Sequence, residues 1–180
     1  MLFRSGFRVG RAADRFPAEL SAARVEPPRV RGVRGVVKVA GGVLESLRRH
    51  ARGAYPEECC GALLGRVADA GGQERTVLAA LPVENAERRA RERRYLVPAA
   101  AVLAAEADAR SRGLDVVGFY HSHPDAPAEP SAYDVEHAWP WYAYLIVGVR
   151  GGEPAGVSAW RLAEDRRRFQ EVRIIEEREP

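Results

Sequence analysis

Residues 114 to 120, Leu-Asp-Val-Val-Gly-Phe-Tyr, run straight into His121-Ser122-His123-Pro124. So short and apolar a run, bounded by a proline, reads as a strand buried inside a sheet. Side chains on a strand alternate faces, so His121 and His123 share one. Two imidazoles on one face of a core strand form a ready metal chelate. Pro124 has no N–H to give to a ladder, so the chain is expected to leave the sheet there. Seven residues separate His123 from Ser131, and two more separate Ser131 from Asp134. Ser131 reads as the N-cap of a short helix, with Asp134 three positions on and on the same face. Two histidines and one carboxylate make the ligand set of a catalytic zinc site whose fourth position stays open for water.

The rest of the chain supplies a scaffold for such a strand. A short strand is expected at residues 36–39. A helix follows from Gly42 to Arg52, with Val43, Leu44 and Leu47 as its apolar stripe and Gly53 as its stop. Residues 60–64 read as a buried strand closed by Gly65. A turn at Ala70-Gly71-Gly72 joins it to a strand at residues 75–81, as a hairpin. Residues 84–94 hold three Glu and five Arg; they read as a solvated loop or short helix, or else as a substrate-facing rim. Pro98 opens a helix to Arg110 that Gly113 ends. After the histidine strand and the Ser131 helix, which Pro140 ends, strands are expected at residues 142–149, 157–162 and 169–175. Interleaved helices and strands argue for an α/β layered domain with a mixed sheet.

At 180 residues and 46% hydrophobic content, the chain can bury one ordinary core. Its net charge of +3 is unevenly spread. Residues 1–34 carry eight Arg against Asp14, Glu19 and Glu26. They read as an Arg-rich, disordered leader to a domain at residues 35–180. The alternative is a basic helix touching nucleic acid or membrane, but Pro17, Pro27 and Pro28 cut its pattern short. No apolar run approaches the roughly 18 residues of a membrane span. Cys59 and Cys60 are adjacent, so both read as reduced, which suits a cytoplasmic setting. Cys60 shares a face with Glu58 and reads as packing rather than as a ligand. His137 reads as a helix-surface residue.

A third part lies upstream, where Glu58 enters a strand in Pro56-Glu57-Glu58-Cys59-Cys60-Gly61. A carboxylate there is costly without a partner or a task. Glu58, His121-x-His123, Ser131 and Asp134 together, at this spacing, resemble the signature of the JAMM (MPN-plus) zinc metallopeptidases. Tyr55 to Gly65, Leu81-Pro82-Val83-Glu84-Asn85 and Val116 to Tyr120 resemble the bacterial branch, and the likeness covers residues 36–175. Tyr133 departs from the family, which more often has a small polar residue before the aspartate. A zinc deaminase is excluded by the lack of a Pro-Cys-x-x-Cys segment.

The resemblance implies a single-domain MPN/JAMM fold: a mixed, mainly antiparallel β-sheet flanked by helices, layered like a cytidine deaminase. It implies one Zn²⁺ held by His121, His123 and Asp134, with Glu58 as general base and Ser131 as oxyanion donor. It further implies hydrolysis after the C-terminal Gly-Gly of a ubiquitin-like, β-grasp sulfur-carrier protein, releasing cysteine or another adduct. Neither nucleic acid nor membrane is expected as a partner, and exposed strand edges leave room for a homodimer. The competing expectation is a non-catalytic MPN scaffold that only binds protein.

Overall fold

The computed structural model describes residues 35–68, 72 and 74–177. The expected leader and most of the turn at residues 70–72 lie outside the described residues. In chain order come β1 (Val36–Val39), α1 (Val43–Ala54), β2 (Cys60–Val67) and β3 (Glu74–Val83). Then follow α2 (Ala99–Ser111), β4 (Asp115–Pro124), α3 (Ala132–His137), β5 (Ala143–Arg150), β6 (Glu153–Leu162) and β7 (Phe169–Glu176). No helix among the described residues is long and apolar enough to cross a membrane.

The strands form one mixed sheet in the order β1-β3-β2-β4-β5-β6-β7, with β2 and β3 the expected antiparallel hairpin. The sheet is not a layer between helices, as expected, but a closed barrel. Closure comes from β1, which pairs in parallel with β3 on one side and β7 on the other. Four residues thus satisfy two edges that would otherwise stay unpaired. Such a closure joins the two ends of the domain, and no local pattern in the sequence announces it.

One core fills the barrel. Val37, Leu63, Val77, Val117, Leu145, Ala159 and Val172, one from each strand, pack with Val43, Leu44, Leu47 and Ala51 of α1. The stripe expected on α1 is therefore its buried face. The helix runs past Gly53 to Ala54, because Pro56 is what stops it: Tyr55 before that proline is extended at φ −51°, ψ 134°. A second cluster lies on the outer face, where Ala105 and Ala109 of α2 cover Ala62, Leu64, Val116 and Phe119.

Two irregularities mark the pairing of β2. Gly65 does not close β2 but sits at a break in its register with β3, where a Cβ would lie 1.8 Å from the Thr76 carbonyl oxygen. Between β2 and β4 the register skips Val117, since Leu63 faces Gly118 and Leu64 faces Val116. That irregularity resets the alternation along β4. Val117 and Tyr120 point into the barrel core, Phe119 points outward, and His121 and His123 follow Phe119 to the outer face.

Candidate metal centre

The antiparallel register sets Cys60 opposite His121, and the Ser122 N–H donates to the Cys59 carbonyl at 3.0 Å. Two residues before Cys60, Glu58 therefore comes level with His123 on the same face. The Ser122 hydroxyl accepts from the Cys59 N–H at 2.9 Å and locks this end of the ladder. As expected, β4 carries both histidines and ends at Pro124, where its last pairing is with β5. The proline is tolerated because β2 has already ended, leaving β4 one neighbour there.

The chain then returns by a pinned loop. The Asp125 carboxylate accepts from the Tyr55 hydroxyl at 2.9 Å and the Gly151 N–H at 2.8 Å, and the Trp160 indole donates to the Ala128 carbonyl at 3.0 Å. Ser131 caps α3 as expected. Its hydroxyl accepts from the Asp134 N–H at 3.2 Å, while its own N–H donates to Asp134 Oδ2 at 2.7 Å. That reciprocal pair is a capping box with aspartate in the third position. Helix α3 ends at His137, short of Pro140.

His121, His123 and Asp134 meet in a buried group whose donor atoms all lie within 4.8 Å of one another. The two Nε2 atoms are 3.0 Å apart, and Asp134 Oδ1 is 3.2 Å from His121 Nε2. In a tetrahedron with zinc–ligand bonds of about 2.0–2.1 Å, ligand atoms stand roughly 3.3 Å apart, so these two separations are close to what a zinc ion needs. The protonation pattern also fits. His123 Nδ1 lies 3.1 Å from the Pro127 carbonyl, which only accepts, so that nitrogen carries the proton and Nε2 offers its lone pair. Asp134 Oδ2 takes two bonds from Ser131, the second from its hydroxyl at 2.7 Å, leaving Oδ1 for a cation.

Burial pulls His121 down from the usual imidazole value, against Asp134. Burial lowers His123 too, but its bond to Asp134 and the nearby Asp134 and Glu58 charges outweigh that and raise it. Burial would raise Asp134, yet the bonds from both histidines and Ser131 hold it well below the usual carboxylate range. Glu58 is 5% exposed. Burial pushes its carboxyl up to about 8, with His123 opposing and Asp134 adding to the rise.

The structure therefore brings together Glu58, His121, His123, Ser131 and Asp134. Cys60 stays outside the donor group: its thiol faces the Val83 carbonyl at 3.6 Å, and burial pushes it up to about 12. His137 is exposed and stacks on Tyr133, with ring centroids 4.0 Å apart. Sequence reasoning missed two residues at the site. The Tyr95 ring stacks on His121 with centroids 4.4 Å apart, and the buried Asn85 amide donates to the Glu58 carbonyl at 3.0 Å. The signal for them was faint: an Asn and a Tyr framing a charged segment whose charges drew the attention.

This fold and donor group define an α/β protein with a His-His-Asp centre able to hold a metal ion. The chain belongs to the prokaryotic homologues of the JAB domain, whose family model matches residues 41–163. It is 46% identical over 110 residues to a desampylase of Haloferax volcanii, covering 61% of this chain and 75% of that one. It is 33% identical over 140 residues to a Thermus thermophilus protein named "Probable TtuB-protein conjugate cleaving protease", covering 78% and 82%. Among solved structures, a Salinibacter ruber protein aligns with a TM-score of 0.62 at 45% identity, covering 78% of this chain and 91% of that one. A Desulfitobacterium hafniense protein aligns at 0.69 and 30% identity, covering 79% and 94%.

Proposed function

We propose that this chain is a zinc-dependent peptidase or isopeptidase. It hydrolyses the bond after the C-terminal Gly-Gly of a ubiquitin-like β-grasp sulfur-carrier protein, releasing cysteine or another adduct. One observation carries the reading: Glu58, a buried carboxyl two residues before the Cys60–His121 pair, lies within reach of the charges of His123 and Asp134, beside the group that His121, His123 and Asp134 form. The names of two relatives, one of them a conjugate-cleaving protease, support the reaction class.

His121, His123 and Asp134 would hold one zinc ion. Zinc, when bound, supplies Lewis acidity that brings the pKa of a water molecule to about 7. Glu58 accepts a proton from the attacking water and passes it to the leaving amine. A carboxyl held near neutrality by burial is suited to take a proton and to give one back. Ser131 donates its hydroxyl proton to the developing oxyanion. To do so the hydroxyl turns away from Asp134 Oδ2, which keeps its bond from the Ser131 N–H. An extended tail adds beside the sheet, and glycine alone lets its backbone approach the centre closely. The reading extends to a cytoplasmic setting, consistent with two free buried thiols.

The test offers a β-grasp carrier bearing one residue after its Gly-Gly tail. Release of that residue, abolished by a chelator and by Glu58→Ala, is the expected result. Release that survives both treatments overturns the reading.

A further inference from the structure

The two histidines are oriented by different means. His123 has the arrangement usual for a metal-binding imidazole, its second nitrogen facing the Pro127 carbonyl at 3.1 Å. His121 does not. Its Nδ1 is fully buried and makes no hydrogen bond among the described residues. An aromatic ring instead covers the imidazole from above its plane, which fixes the tilt of the ring without bonding Nδ1. The half-buried Tyr95 lies against the His121 ring with centroids 4.4 Å apart and planes inclined by 22°.

The segment carrying Tyr95 is built rather than loose. Asn85 is buried, and both hydrogens of its amide donate, to the Glu58 carbonyl and the Arg94 carbonyl, each at 3.0 Å. Its oxygen accepts from the Glu87 N–H at 3.0 Å and the Leu96 N–H at 3.1 Å. One side chain thus uses its whole hydrogen-bonding capacity on backbone, with bonds on both sides of Tyr95. The Arg91 carbonyl accepts from the Glu58 N–H at 2.7 Å, and the Arg94 guanidinium lies 5.1 Å over the Tyr133 ring on α3. The segment is therefore tied both to the strand entry at Glu58 and to the helix of Asp134, with Tyr95 held between.

We propose that Tyr95 is a positioning residue. Its ring, laid on His121 by the segment that Asn85 pins, replaces the hydrogen bond that His121 Nδ1 lacks and holds Nε2 toward Asp134. The inference rests on the reading of His121 as a metal ligand. It requires the aromatic ring and not the phenol hydroxyl.

The experiment titrates the full chain with Co²⁺, whose visible bands report coordination. Tyr95→Phe is expected to bind within about threefold of the unaltered protein, and Tyr95→Leu about tenfold more weakly with shifted bands. Equal affinity and spectrum in Tyr95→Leu overturns the proposal, and so does a loss in Tyr95→Phe as large as in Tyr95→Leu. A second measurement does not depend on a Tyr95 variant folding. The carbon-bound protons of His121 carry an upfield ring-current shift in the unaltered protein. Asn85→Asp sets a carboxylate against two carbonyls and should abolish that shift and weaken Co²⁺ binding together. Undiminished affinity with the shift gone overturns the proposal. Failure of the unaltered protein to bind Co²⁺ overturns the metal centre itself, and this inference with it.

Discussion

Glu58 and Ser131 are both built into the fold, and the proposed function gives each a chemical task as well. Glu58 ties its backbone into the fold through Asn85 and Arg91, while its carboxyl stays free of any bond to them. Glu58→Gln keeps the shape and removes the proposed base. It should lower kcat by about 10²–10⁴ with the bound-zinc content unchanged, as read by turnover and metal assay together. Ser131 is harder to interpret, because its hydroxyl is also a helix cap. The two roles separate through Ser131→Gly, since glycine at an N-cap costs only a few tenths of a kcal/mol where alanine costs about 1 kcal/mol. Both variants should lose about 10²–10³ in kcat, and only Ser131→Ala should show a clear drop in denaturation midpoint. Most of this was legible from residue types and spacing: alternation on a strand put two imidazoles on one face, and helix-cap chemistry put Ser131 beside Asp134. Tyr95 and Asn85 were not legible, because each acts on a partner distant in the chain.

At the scale of elements, the histidine strand is central and its glycine is not incidental. A Cβ on Gly118 would lie 2.1 Å from the Ala143 carbonyl oxygen across the β4–β5 pairing. Backbone cannot swing aside as a side-chain tip can, so Gly118→Ala should destabilise the fold by about 1–3 kcal/mol, measured by urea unfolding. Strand and helix positions were largely readable, since periodicity and punctuation by glycine and proline are local. The misreadings have local causes too. Proline ended α1 where glycine had been expected to, and Gly65 marks a break in register rather than the end of β2. The charged segment at residues 84–94 is the instructive case. Its side chains are mostly solvated, as composition suggests, but its backbone is fixed to the site by hydrogen bonds that composition does not encode.

For the molecule as a whole, stability should respond to metal and to pH. The donor residues come from β4 and α3, so an ion that binds only the folded chain ties the two together. Free zinc at a hundredfold excess over its Kd should add about 2.7 kcal/mol to the unfolding free energy, and a chelator should remove it, as read by thermal unfolding. His50 contributes on the acid side. It meets the Tyr120 hydroxyl at 2.8 Å, and burial lowers it from 6.5. The unfolded chain therefore takes up the proton first as pH falls, so this contribution is fully present above pH 6.5 and lost on acidification below it. Between pH 7 and pH 5 the urea midpoint should fall less steeply in His50→Gln than in the unaltered protein. The linear order of residues by itself determined the two imidazoles on one face, the helix cap and most strands, because each depends on neighbours a few positions apart, and its fixed spacings carried the family likeness. Only the tertiary structure decided that β1 closes a barrel, that Glu58 comes level with His123, and that Tyr95 covers His121. Those are matters of register and closure between distant segments, and a chain states them only once it has folded.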